Sequence, residues 1–180
     1  MRAFAALKLP DAALDALERA QEGLTVGRLM PAENLHLTLA FLDDQPEAVL
    51  EALHQELSEI RAAPVDLSFQ GLDTFGGRHP RVLLAKAAPT PELTALRARV
   101  LSACRAAEIL PDRARFRPHV TLARFPGHLE AGQVEKIGRF LERGAGFRHD
   151  CRVESFALFR STLSPEGARH DVLAEYELSG

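Results

Sequence analysis

Two short words in this chain carry residues that could do chemistry together. They are "HLTLAFL" at His36–Leu42 and "HVTLARF" at His119–Phe125, and both read His-x-Thr-Leu. An ordinary imidazole titrates near pH 6.5, so one of two such groups can be neutral while the other holds a proton near neutral pH. Threonine hydroxyls donate hydrogen bonds to phosphate oxygens. In-line attack on a phosphodiester needs a base on one side of phosphorus and an acid on the other. His36, His119, Thr38 and Thr121 supply those parts without a metal ion. A zinc site usually takes three or four ligands. The nearest carboxylates, Asp43 and Asp44, follow the first strand, and neither Cys-x-x-Cys nor His-x-x-x-His occurs. No metal or other cofactor is expected. Neither cysteine lies near a motif histidine in sequence and Gly-x-Ser-x-Gly is absent, which disfavours a thiol or serine nucleophile.

One His-x-Thr word in a strand is weak evidence; two in equivalent places of a repeated unit are much stronger. The other histidines, His54, His79, His128, His149 and His170, read as solvated residues of helix surfaces or loops. Among 22 basic residues lysine occurs only at 8, 86 and 136, leaving 19 arginines. Arginine binds phosphate with a planar fork and stacks on bases, although GC-rich codon usage gives the same excess. In "RARFRPH", Arg113, Arg115 and Arg117 directly precede His119, forming an electropositive patch beside the second word.

The elements that must hold these words repeat as well. "RAFAALKL" and "RVLLAKAA" are short apolar runs, each followed by a helical stretch, "PDAALDALERA" with Pro10 at its start and "PTPELTALRARVLSAC". In the latter, Leu93, Leu96, Val100 and Cys104 share one helical face. Each half then reaches its His-x-Thr strand. Further helices follow, with Val49, Leu50, Leu53, Leu57 and Ile60 in one and Val134, Ile137 and Leu141 in the other. The strands "VDLSFQGLDTF" and "CRVESFALFR" come next, and "DVLAEYEL" closes the chain.

The pattern predicts an α+β fold: two pseudo-symmetric lobes of antiparallel sheet with outer helices. The chain reads as a single domain, 1–180, with an approximate repeat of 1–76 and 81–180, and "GGRHP" (Gly76–Pro80) as the junction. Side chains two apart on a strand share a face. His36 and Thr38 therefore point one way and Leu35, Leu37 and Leu39 the other; His119 and Thr121 lie opposite Val120 and Leu122. An approximate two-fold axis would turn both polar faces into one central cleft.

The bulk properties fit a globular protein: 180 residues, 46% hydrophobic, 26% charged, net charge −3. There is no apolar run long enough for a membrane span, and the first residues lack a signal peptide's pattern. Cys104 and Cys151 make no disulfide framework and read as buried thiols in a reducing cytoplasm.

"MRAFAALKLP", "PAENLHLTLAFL" (Pro31–Leu42), "FRPHVTLARF" (Phe116–Phe125) and "SFALFRSTLSPEGARHDVLAEYEL" (Ser155–Leu178) span nearly the whole chain. With them the sequence resembles the RNA 2′,3′-cyclic phosphodiesterases, historically called 2′-5′ RNA ligases, of the two-histidine phosphoesterase superfamily. The resemblance implies a bilobal fold with a V-shaped cleft and hydrolysis of terminal RNA 2′,3′-cyclic phosphates to 2′-phosphomonoesters. It also implies a reversible joining of RNA ends through 2′-5′ linkages. By resemblance, His36 is the general acid and His119 the general base; Thr38 and Thr121 hold the phosphate and Arg124 contacts substrate. Strict alternation would put Arg124 opposite His119, so the strand must twist or end there. Arg115 and Arg117 are further candidates for substrate binding.

Three positions depart from the family. Leu29 stands where an aromatic residue is frequent, Asp43 where glycine is, and tyrosine is common near His170. The implied partner is an RNA end bearing a 2′,3′-cyclic phosphate, tRNA fragments included, with no membrane and with the chain acting as a cytoplasmic monomer. Two alternatives stay open: a related phosphoesterase of a small cyclic nucleotide or ADP-ribose cyclic phosphate, and a non-catalytic RNA-end-binding module, against which two intact motifs argue.

Overall fold

Prolines stand at the start of all the α-helices but the last. The computed structural model describes residues 1–110, 115–165 and 167–179. Helix α1 (Asp11–Gln21) and helix α2 (Glu47–Ser58) follow Pro10 and Pro46 at the cap position, where a missing N–H costs nothing. Helix α3 (Pro91–Ala106) is capped by the Thr90 hydroxyl, which accepts from Leu93 N–H at 3.3 Å. Helix α4 (Ala131–Arg143) starts with a reciprocal Glu130–Gln133 capping box. The predicted face of α3 is buried at Leu93, Leu96, Val100 and Cys104; on α4 it is Ile137 and Phe140 that are buried. No helix of the described residues is long and apolar enough to cross a membrane.

The strands are β1 (Arg2–Leu7), β2 (Arg28–Leu29), β3 (Leu37–Asp44), β4 (Val65–Phe75), β5 (Val82–Ala87), β6 (His119–Arg124), β7 (Arg148–Val153), β8 (Ser155–Ser164) and β9 (Gly167–Glu177). Among the described residues they form one antiparallel sheet in the order β7-β4-β5-β6-β3-β1-β8-β9, with β2 added to β6. Exchanging β5 with β1, β6 with β3 and β4 with β8 reverses the inner six strands of that order onto themselves. The last strand of each sequence stretch therefore pairs with the first strand of the other: β4 with β5, and β8 with β1.

Two expectations change accordingly. "GGRHP" is the hairpin turn between the paired strands β4 and β5 and not a linker between lobes. Gly76 sits there at φ 114°, and a Cβ on it would collide with the His79 carbonyl oxygen. "CRVESFALFR" is two strands: β7 pairs with β4 and β8 with β1, and only Glu154 lies between them. One residue cannot span the flat width from β7, the first strand of the order, to β8, the last but one, so the sheet must curl until these two strands nearly meet. One core cluster then joins both half-sheets and the helices, with Leu7, Leu17, Leu53, Leu96, Val120 and Phe156 fully or almost fully buried. A second, small cluster of Phe4, Ala6, Ala157 and Phe159 lies on the other face of β1 and β8. Cys104 is buried and Cys151 half-buried, both as free thiols.

Candidate active site

The seam between the two half-sheets is one register pair, Leu37 with Val120. Both side chains are fully buried, which points their neighbours in sequence to the opposite face. Extending the antiparallel register by one residue each way sets His36 across from Thr121 and Thr38 across from His119, the separation of direct cross-strand neighbours. Farther along β6, the short strand β2 takes the edge, pairing Arg28 with Arg124 and Leu29 with Ala123. β3 and β6 must therefore part there, which opens the cleft. Gly27 permits this approach: it has φ 81°, and a Cβ on it would lie 2.6 Å from the Arg124 carbonyl oxygen.

The cleft measures about 740 Å³ and is lined by His36, His119, Thr38, Thr121 and Arg124, among others. Arg124 reaches the face of His119 through a β-bulge. On β5 the partners Leu83 and Leu84 are adjacent, whereas on β6 Ala123 and Thr121 have Leu122 between them. The extra residue inverts the alternation, so that Leu122 and Ala123 are both fully buried and Arg124 returns to the polar face. β3 does the same: Leu39 is unpaired between Ala40 and Thr38, both Leu39 and Ala40 are buried, and Phe41 emerges into the cleft. Phe41 is thus the counterpart of Arg124. The consecutive apolar pair after each Thr, in "HLTLAF" and "HVTLAR", is the sequence signal for both bulges.

Each imidazole is held by the backbone two residues before it. His36 Nδ1–H donates to the Asn34 carbonyl at 2.8 Å and His119 Nδ1–H to the Arg117 carbonyl at 2.6 Å. A carbonyl only accepts, so each neutral ring keeps its proton on Nδ1 and leaves a lone pair on Nε2 for the cleft. The surroundings then diverge. His36 stacks on Phe4, with ring centroids 4.6 Å apart and planes 27° apart, and Phe4 stacks on Phe159. His119 meets the edge of Phe75 at 4.8 Å, with the Arg117 guanidinium 4.5 Å above the same ring. Burial first, then the charges of His170, His119 and Arg124, together push the His36 imidazole down to about 4 against the opposing Asn34 hydrogen bond. His119 is also lowered, by burial and then by Arg117, against its own carbonyl bond.

The remaining sequence candidates fall elsewhere. Arg115 and Arg117 do not line the cleft, although Arg117 touches it indirectly through Phe75 and His119. Arg113 lies outside the described residues. Leu29 and Asp43 both line the cleft. Asp43 has φ 55°, the left-handed conformation that suits glycine. His170, expected in a solvated loop, is on β9 opposite Ser161 and half-buried in the cleft. Residues that the sequence reading missed include Phe4, Asn34 and Phe41, which line the same cleft. Among the described residues, no three His, Cys, Asp or Glu side chains cluster as a metal site.

Paired histidine strands at the centre of this internally repeated sheet are the hallmark to set against known proteins. A family model described as the 2′-5′ RNA ligase superfamily matches residues 9–164, and the chain belongs to that superfamily. It is 34% identical to an RNA 2′,3′-cyclic phosphodiesterase of Thermus thermophilus, over 100% of this chain and 91% of that one. It is also 34% identical to an RNA 2′,3′-cyclic phosphodiesterase of Geobacillus stearothermophilus, over 67% of this chain but only 41% of that longer protein. The crystal structure of the Thermus thermophilus protein TT0787 superposes with a TM-score of 0.78 at 28% identity, covering 99% of this chain and 98% of that one.

Proposed function

We propose that this chain is an RNA 2′,3′-cyclic phosphodiesterase that opens the terminal cyclic phosphate to a 2′-phosphomonoester by paired-histidine acid–base catalysis. The observation that carries this reading is the Leu37–Val120 seam, which brings two His-x-Thr faces to one cleft with Arg124 at its side. His119 Nε2 takes the proton of the attacking water. His36 Nε2–H gives a proton to the departing 3′-oxygen, so phosphate stays on the 2′-oxygen. Thr38 and Thr121 hydroxyls donate to the non-bridging oxygens, whose negative charge grows as water adds. Arg124 meets phosphate or the terminal base. With an RNA 5′-hydroxyl in place of water, the same centre is the route to reversible 2′-5′ joining.

Without substrate the proton is held more weakly on His36 than on a free imidazole. The productive form, protonated His36 with neutral His119, is therefore a minority that an anionic phosphate enriches. The ribose seating, which puts the 3′-oxygen beside His36, assigns the roles. No step uses a metal ion. The whole chain, 1–180, acts as one bilobal domain built from the units 1–76 and 81–180, with their last strands exchanged. Because the internal two-fold already completes the cleft, it acts as a monomer. RNA ends, tRNA fragments among them, are its substrate, and the two free thiols suit a reducing cytoplasm.

The test is incubation with an RNA ending in 2′,3′-cyclic phosphate in excess chelator, beside an ADP-ribose cyclic phosphate and a small cyclic nucleotide. Turnover of the RNA end with the highest kcat/KM is expected. Absent turnover, or turnover only after zinc or manganese is added, would overturn the proposal.

A further inference from the structure

We infer that His170 is a positioning residue for His36: a third imidazole that fixes the ring of the acid and ties its proton to a second charge. This rests on the role proposed for His36. His36 and Phe4 are nearly parallel, and His170 stands across both at 72°, with centroids 5.1 Å from His36 and 4.8 Å from Phe4. The ring of His36 is therefore bounded on one side by a stacked phenyl and across its edge by an imidazole. The Nδ1 atom of His170 is buried without a hydrogen-bond partner, so this ring is not anchored for its own sake as His36 and His119 are.

The same hairpin reaches His36 a second way. Asn34, whose carbonyl receives the His36 proton, donates from its side-chain nitrogen to the Ala168 carbonyl at 2.7 Å. Ala168 is two residues before His170 on β9. The β8–β9 hairpin thus holds both the backbone carbonyl and the open edge of one histidine. Among the described residues the half-sheet of His119 lacks an equivalent: its edge strand, β7, contributes nothing to the lining of the cleft.

Two neighbouring imidazoles resist holding protons together. The other charges around the pair are Arg124 from β6, which disfavours a proton on His170 and on His36, and Asp171 beside His170, which favours one. Asp171 is already paired with Arg160 and Arg169. From β6 His119 also acts on His36, and Arg2, Arg28 and Asp43 line the same cleft from β1, β2 and β3. As pH falls, His170 takes a proton first. Its charge then attracts the anionic substrate while keeping the proton off His36. His170 makes the enzyme bind better and turn over less on the acidic side.

The test is His170→Phe, which keeps a ring against Phe4, with His170→Tyr as a second variant that also lacks the charge. Imidazole titrations are read by proton–nitrogen NMR, and kcat and KM with cyclic-phosphate RNA are read across pH. The expected result is a His36 titration moved up toward the ordinary imidazole value, with His119 unmoved. Below about pH 6 both kcat and KM should rise severalfold, and at pH 8 the wild-type pattern should return. An unmoved His36 titration, or a loss of kcat equal at every pH, would overturn the coupling. Absence of turnover in wild type and variants alike would sink the proposed function while the NMR still decides the coupling.

Discussion

The two halves of the cleft use the same six-position plan and place it in unlike surroundings. In both, a histidine donates from Nδ1 to the carbonyl two residues back, a threonine follows on the same face, and a bulge turns the sixth residue into the cleft. Around His36 the ring is enclosed by Phe4, Phe159 and His170 under the β8–β9 hairpin. Around His119 it leans on the edge of Phe75, with Arg117 over the same ring. The sixth residue is Phe41 on one side and Arg124 on the other. On the proposed mechanism, internal symmetry supplies two matched nitrogens for an in-line displacement, and the departures from symmetry give those nitrogens unequal hold on a proton and the substrate a direction.

The largest effect should come from breaking either side. His36→Ala and His119→Ala are each expected to lower kcat by roughly 10²–10⁴-fold with the fold kept, as circular dichroism and thermal melts would report. Near-full turnover in either variant would exclude an acid–base pair.

The enclosure of His36 has a stability consequence. Its folded-state value of about 4 lies below the ordinary imidazole value, so the unfolded chain binds its proton more readily. This contribution is complete above about pH 6.5 and is lost as pH falls through the folded value, by about 3 kcal/mol for one such group. Denaturant melts should show that loss in wild type and much less of it in His36→Gln. An equal acid sensitivity in the two proteins would place the loss elsewhere.

The threonines test how even the symmetry is. Each hydroxyl donates to a charged phosphate, and Thr38→Ala and Thr121→Ala should each lower kcat/KM by roughly 10–100-fold. A strongly unequal pair would show that the phosphate sits off the internal axis. The sixth positions give the smallest effect. Arg124→Ala should weaken RNA binding and reduce the slope of log affinity against log salt by about one, because one phosphate contact is lost. Phe41→Ala, which removes no charge, should leave that slope unchanged. Two unchanged slopes would take Arg124 off the phosphate.

Much of this site was legible in the residues themselves. The alternation of Leu35, Leu37 and Leu39 against His36 and Thr38 follows from strand geometry, and all three leucines are buried. Arg124 was legible as a candidate but its route to the cleft was not, because a bulge depends on the partner strand as well as its own. His170 was misread for a related reason. Its strand is polar on much of its length, with Val172 and Leu173 exposed, so periodicity does not separate it from a loop. Only the ten-residue pairing of β8 with β9 brings it to His36. The exchange of the last strands was hidden as well, since local patterns specify strands but not their partners.

The inequality of the two motif histidines is tested most directly by titrating them in the free protein, with imidazole nitrogens observed by NMR and assigned through His36→Gln and His119→Gln. His36 should stay neutral until the pH approaches about 4 and should titrate below His119, which itself lies below the ordinary value. A His36 that titrates at or above His119 would contradict the claim that its enclosure, rather than its motif, sets its chemistry.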